Sequence, residues 1–158
     1  MGSTARYYFR WMTLREKRRA GAQEEIQGPI TLTKPNNGLV DQHILIVEDE
    51  LLIAWAIKDI VESLGCAVLG PVSSVDAAFE LLRNNIPDAA LLDVNLQGES
   101  VMPLAEECQL RKIPFIVITG YGRLNLSDSL LNSAVRVRKP FNRDDVAKAL
   151  TSVIRVDH

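Results

Sequence analysis

The chain has 158 residues, 47% hydrophobic and 6% aromatic, which suits one globular α/β domain with some chain to spare. No apolar run approaches the roughly 18 residues that a membrane span requires, and the N-terminus lacks the apolar core of a secretory signal. Two cysteines, Cys66 and Cys108, make no disulfide framework, and two histidines, His43 and His158, leave little for a histidine-based metal site, so a cytoplasmic protein is expected. Charge divides the chain: residues 1–40 carry seven Lys/Arg against three Asp/Glu, whereas residues 41–158 carry eleven against seventeen. The acidic part is a poor match for nucleic acid, and no such partner is expected.

In chain order, residues 1–40 come first as a basic, aromatic segment with Arg6, Tyr7, Tyr8, Phe9, Arg10 and Trp11 near its start and the turn-forming Lys34-Pro35-Asn36-Asn37-Gly38 near its end. It is expected to be a flexible tail, the alternative being a segment that binds a partner or a membrane surface. Strand one spans His43–Val47 and runs into Glu48-Asp49-Glu50. Helix one, about Glu50 to Leu64, carries an inward stripe of Ile53, Ile57, Ile60, Val61 and Leu64, with Gly65 placed to end it. Leu52, Trp55 and Asp59 fall on another face. Strand two, Cys66–Leu69, is closed by Gly70-Pro71. Ser74 is placed to cap helix two, about Val75 to Asn84.

Strand three, Ala89-Ala90-Leu91-Leu92-Asp93, is a short apolar run ending in one aspartate, the pattern of a strand buried on both faces. Helix three covers about Val101 to Lys112. Strand four, Phe115-Ile116-Val117-Ile118, runs into Thr119-Gly120. Residues Gly120–Ser133 are ambiguous because Gly120, Gly122, Asn125, Ser127 and Ser129 weaken a helix. Strand five, about Ala134 to Arg138, delivers Lys139-Pro140-Phe141, and Asn142 caps a last helix from about Arg143 to Ile154. Five strand-then-helix units predict a flavodoxin-like, doubly wound parallel sheet in the order 2-1-3-4-5. That order gathers the carboxyl ends of strands one, three, four and five, where such folds bind ligands.

The residues gathered there suggest a chemistry. Carboxylates pressed together at Glu48, Asp49 and Asp93 repel one another unless a hard divalent cation such as Mg²⁺ sits among them. With a cation on Glu48 and Asp49, Asp93 stays ionised and can attack phosphorus, Lys139 offers a point charge to a phosphoryl oxygen, and the Thr119 hydroxyl offers a hydrogen bond. The competing reading makes Asp49 or Glu50 a cap of helix one, Asp93 a satisfied loop residue and Lys139 a solvated side chain. A flavin-binding domain is disfavoured, because Glu48-Asp49-Glu50 would repel the flavin phosphate.

Val47-Glu48-Asp49-Glu50, Leu91-Leu92-Asp93-Val94, Val117-Ile118-Thr119-Gly120 and Lys139-Pro140-Phe141 resemble the receiver domain of two-component response regulators, over about Gln42 to Val156. The resemblance implies a receiver over residues 41–158. It implies a signalling module rather than an enzyme, phosphorylated on Asp93 by a sensor histidine kinase or histidine phosphotransfer protein. It further implies Mg²⁺ at Glu48, Asp49, Asp93 and the Asn95 carbonyl, a cis Lys139-Pro140 bond, and output through contacts with an unidentified protein. Gly65-Cys66, Gly70-Pro71, Asp93-Val94-Asn95-Leu96 and Thr119-Gly120-Tyr121-Gly122 resemble, more narrowly, single-domain receivers of alphaproteobacteria with a Thr-Gly-x-Tyr-like motif. The alternative function is a receiver-fold interaction module regulated without phosphorylation.

Two residues depart from the family pattern. Glu48 stands where aspartate is commoner, which leaves direct or water-mediated metal contact open. Arg136 stands where receivers usually place Tyr or Phe. The switch is therefore expected to run through Thr119 and Tyr121, while Leu52 and Trp55 are expected to dock the kinase.

Overall fold

The computed structural model describes residues 38–120 and 129–154. Most of the leading basic segment, and Tyr121, lie outside the described residues. The elements are β1 (His43–Val47), α1 (Leu51–Ser63), β2 (Ala67–Val72), α2 (Val75–Asn84), β3 (Ala89–Asp93), α3 (Met102–Leu110), β4 (Phe115–Thr119), α4 (Ser129–Ser133), β5 (Val135–Arg138) and α5 (Arg143–Val153). The five strands are parallel and lie in the order β2-β1-β3-β4-β5, as the alternation of strands and helices predicts.

Successive side chains on a strand point to opposite faces, so each central strand feeds two cores. Ile44, Ile46, Ala89, Leu91, Ile116, Ile118 and Val137 face α1 and α5, where Ile57, Val61, Leu64, Val146, Ala149, Leu150 and Ile154 are buried. Leu45, Val47, Ala90, Leu92 and Val117 face the other way, onto Val75, Ala78 and Leu82 of α2, Leu104, Ala105 and Cys108 of α3, and Leu131 of α4. The apolar stripe expected on α1 is seated here, with Ile53 and Ile60 half-buried at its margin. Both cysteines are buried thiols, and burial pushes Cys66 up to about 11 and Cys108 up to about 12.

The expected caps of α2 and α5 are made by side chains. Ser74 accepts from the Ala77 amide at 3.2 Å. Asn142 accepts from the Asp144 and Asp145 amides while Asp145 accepts from the Asn142 amide, a reciprocal capping box. Gly65, at φ +86°, follows the end of α1 in the left-handed region.

One expectation needs correction. Strand β2 does not stop at Leu69; it continues through Gly70-Pro71 to Val72, where the Val72 carbonyl accepts from the Glu48 amide at 2.9 Å. Gly70 makes this possible by adopting φ +97°, with space so tight that an added Cβ would lie 2.9 Å from the Ile46 carbonyl oxygen. The cap that the competing reading gave to Asp49 or Glu50 is not made, since Glu50 holds the N-cap position of α1 without a side-chain cap bond. Residues Ser129–Ser133, within the ambiguous stretch, are helical. Packed residues are also present ahead of residue 41. Leu39 is fully buried beside Ile44 and Val61, and its carbonyl accepts from the Cys66 thiol at 3.2 Å. The unit that holds the sheet begins at Asn37.

Candidate active site

Strand register builds the site. Val47 pairs with Leu92, which sets Glu48 alongside Asp93. Asp93 pairs with Ile118 and Thr119 with Arg138, which sets Lys139 one step beyond Thr119. The Lys139 amide donates to the Thr119 carbonyl at 2.7 Å, so the tips of β4 and β5 stay joined past the last strand pair.

The side chains then converge. Carboxylate oxygens of Glu48, Asp49 and Asp93 all lie within 4.8 Å of one another. Glu48 is 2% exposed and Asp93 1%, so both acids are held away from water. Lys139 Nζ reaches Glu48 Oε2 at 2.9 Å, Asp93 Oδ2 at 3.0 Å and Glu50 Oε1 at 3.4 Å. Two backbone amides hold the remaining oxygens of the buried acids: Glu50 N–H donates to Glu48 Oε1 and Asn95 N–H to Asp93 Oδ1, each at 3.0 Å. Thr119 is buried at the end of β4.

Electrostatics follow from this burial. Desolvation pushes the Glu48 carboxyl up to about 7; the Lys139 ammonium and the Glu50 amide work against the rise, and neighbouring Asp93 adds to it. Burial opposes the charge on Lys139, yet its pairing with Glu48 and Asp93 prevails and raises it to about 12. One ammonium among three carboxylates leaves a surplus of negative charge. Asp49 Oδ1 is buried with no hydrogen-bond partner, a costly state for a carboxylate oxygen. An oxygen-rich, net-negative cluster with a buried unpartnered oxygen fits a hard divalent cation, and Glu48, Asp49 and Asp93 are the side chains that would hold it.

Some neighbours were not legible beforehand. Glu50 joins the Lys139 cluster from the N-cap of α1. Glu99, in the loop after Asp93, reaches across to accept from the Val75 amide at the start of α2 at 3.2 Å. A cavity of about 350 Å³ opens beside Glu48 and Asp49 between α1 and the β2–α2 turn, lined mainly by Leu51, Ala54, Pro71 and Val72. Leu52 and Trp55 stand outside the cluster on α1, 78% and 55% exposed. Arg136 turns outward and donates to the Asn132 carbonyl at 3.1 Å and its Oδ1 at 3.0 Å. Both Gly70-Pro71 and Lys139-Pro140 are cis.

A five-stranded parallel sheet in this order, with an acidic trio and a lysine at its carboxyl edge, defines a class of signalling domain. The response regulator receiver domain model matches residues 44–151, and the chain belongs to this family. Among curated relatives, the sensory transduction protein LytT of Enterococcus faecalis is 30% identical over 111 residues, covering 68% of this chain and 46% of LytT. The chain thus spans less than half the length of the curated relatives it matches.

The solution structure of SdrG from Sphingomonas melonis Fr1 is 42% identical at a TM-score of 0.65, covering 74% of this chain and 98% of SdrG. The BeF3-activated conformation of SdrG is similar at a TM-score of 0.63 and 38% identity, covering 73% of this chain and 98% of that one. The receiver domain of the sensor histidine kinase PA1611 from Pseudomonas aeruginosa PAO1, with a magnesium ion in its active-site cleft, is 25% identical at a TM-score of 0.63, covering 73% of this chain and 98% of that one. This chain therefore carries a receiver domain of the two-component type, by family a signalling module rather than an enzyme. Among the described residues no helix is long and apolar enough to cross a membrane.

Proposed function

We propose that the domain takes up a phosphoryl group on Asp93 from a sensor histidine kinase or histidine phosphotransfer protein, and that phosphorylation changes its contacts with an output protein. The observation that carries this reading is the convergence of three carboxylates within 4.8 Å, with Lys139 Nζ 3.0 Å from Asp93 Oδ2. An Asp93 oxygen attacks phosphorus, the phosphorus–nitrogen bond to the donor imidazole breaks, and its electron pair stays on the ring nitrogen, leaving an acyl phosphate on Asp93. Mg²⁺ when bound supplies positive charge to the carboxylates and to the phosphoryl oxygens. Glu48, Asp49 and Asp93 would hold it, together with the Asn95 carbonyl, in a loop already tied back by the Asn95 N–H to Asp93 bond. Lys139 offers its ammonium to a phosphoryl oxygen, and Thr119 its hydroxyl.

Docking and output use other surfaces. Leu52 and Trp55, apolar and exposed beside the site, meet the donor. The added charge on Asp93 draws the Thr119 hydroxyl inward, and Tyr121, two positions further along the chain, moves with it. Arg136 faces outward and takes no part as a buried ring. The partner binds on the side of Arg136 and Arg138, without nucleic acid. The test is incubation with acetyl phosphate and Mg²⁺, followed by mass spectrometry of the wild type and of Asp93→Asn. One acid-labile adduct on Asp93, lost in the variant, is the expected result. No adduct from acetyl phosphate or from a phosphohistidine donor would favour an interaction module regulated without phosphorylation.

A further inference from the structure

The oxygens of the acidic cluster differ in their commitments. Glu48 Oε1 accepts from the Glu50 amide at 3.0 Å, whereas Oε2, which has no hydrogen-bond partner, is held by charge alone in an ion pair with Lys139 Nζ at 2.9 Å. Both oxygens of Asp93 are in use, by the Asn95 amide and by the same ammonium. Asp49 Oδ1 is buried and unpartnered. The Lys139 side chain, only 15% exposed, thus bridges the two most deeply buried members of the cluster. A third carboxylate, Glu50, stands 3.4 Å from the ammonium on the solvent side.

We propose that Glu48 is a positioning residue for Lys139, and that cation binding and release of the lysine from Glu48 are a single exchange at Oε2. This rests on reading the cluster as a cation site. An ammonium and a divalent cation seek the same oxygens and repel each other strongly at a few ångströms in a poorly screened site. Asp49 offers the first free oxygen, and the ammonium must leave Glu48 before its Oε2 can turn to the cation. Glu50 gives the displaced ammonium an exposed carboxylate to rest on, while Asp93 keeps it within reach of an incoming phosphoryl group. Side-chain length is part of the device. One methylene more than aspartate lets Glu48 return Oε1 to the Glu50 amide while Oε2 reaches Nζ.

The test is a double-mutant cycle on Mg²⁺ binding to the full chain, measured by titration calorimetry. Lys139→Met is expected to tighten Mg²⁺ binding about fivefold in the otherwise wild-type chain, but less than about twofold in the Glu48→Gln background. A second readout is the Lys139 ammonium resonance in ¹⁵N-edited spectra, which should shift on adding Mg²⁺ to the wild type and shift much less in Glu48→Asp. Glu48→Asp keeps the charge and shortens the reach, so it should also bind Mg²⁺ about threefold tighter and serves if Lys139→Met fails to fold. Equal tightening by Lys139→Met in both backgrounds, or no tightening in Glu48→Asp, would overturn the exchange and leave the cation site standing. Absence of Mg²⁺ binding at millimolar concentration would overturn both.

Discussion

The Lys139 amide donates to the Thr119 carbonyl at 2.7 Å, so the residue that carries the ammonium and the residue that carries the hydroxyl are joined through the main chain. Their side chains can therefore act on one phosphoryl group without either strand tip drifting. Thr119→Ala removes the hydroxyl and leaves that backbone bond intact. Acetyl-phosphate labelling of Asp93 should slow about tenfold, the worth of one hydrogen bond of about 1–1.5 kcal/mol, with little change in the thermal midpoint. A rate equal to wild type would remove Thr119 from the chemistry.

Gly70 carries the bend that lets β2 continue to Val72, and Val72 in turn receives the Glu48 amide. An alanine Cβ would meet the Ile46 carbonyl oxygen and the Val72 nitrogen, each at 2.9 Å, in a backbone region at φ +97° that disfavours it already. Gly70→Ala should cost about 2–3 kcal/mol in urea unfolding. An unchanged midpoint and slope would mean that the strand end relaxes freely.

Trp55 and Leu52 project from α1 beside the site without belonging to the cluster. Trp55→Ala should slow phosphoryl transfer from a kinase about tenfold while sparing labelling by acetyl phosphate, since only the protein donor needs a docking face. Equal losses with both donors would point to misfolding.

Removal of residues 1–36 should leave the thermal midpoint and the Mg²⁺-dependent labelling rate unchanged, because the cores on both faces of the sheet are built from residues 39–154. Leu39 is another matter, being fully buried against the α1/α5 core. Leu39→Ala should destabilise the domain by about 2–4 kcal/mol. The contrast between truncation and point substitution, read by calorimetry, checks both statements.

Glu48 gives the site a pH dependence whose sign follows from its raised pKa of about 7. Below its ordinary value of 4.5 the group is protonated in folded and unfolded chains alike, and its contribution to stability is fully present. That contribution is lost as the pH rises through about 7, where the folded, cation-free domain must ionise a buried acid. Cation binding runs the opposite way, because it needs the ionised form. Mg²⁺ affinity should climb between about pH 6 and about pH 8, by at most about tenfold per unit, and then level off. Calorimetry should show this slope flattened in Glu48→Gln; a slope that survives the substitution would assign it to another group.

Local chemistry made much of this molecule readable from the amino-acid order alone. Short apolar runs such as Ala89–Leu92 specify strands buried on both sides, and Ser74 and Asn142 announce helix starts because their side chains reach amides only a few residues away. A parallel sheet must return each strand in the same direction, so Glu48, Asp93, Thr119 and Lys139, each at a strand's carboxyl end, come to one edge. What remained illegible depends on groups distant in sequence. Gly70-Pro71 reads as a strand terminator locally, but the Glu48 amide waiting opposite Val72 rewards continuation of the strand. Leu39 lacks a neighbouring apolar period and is buried only because Cys66 and Val61 come to meet it. Glu50 and Lys139 are 89 positions apart, and Glu99 and Val75 are 24 apart; no periodicity links them. The sharing of one ammonium among three carboxylates was likewise decided only in three dimensions, because charge pairing follows distance through the folded chain, whereas strand and helix formation follow distance along it.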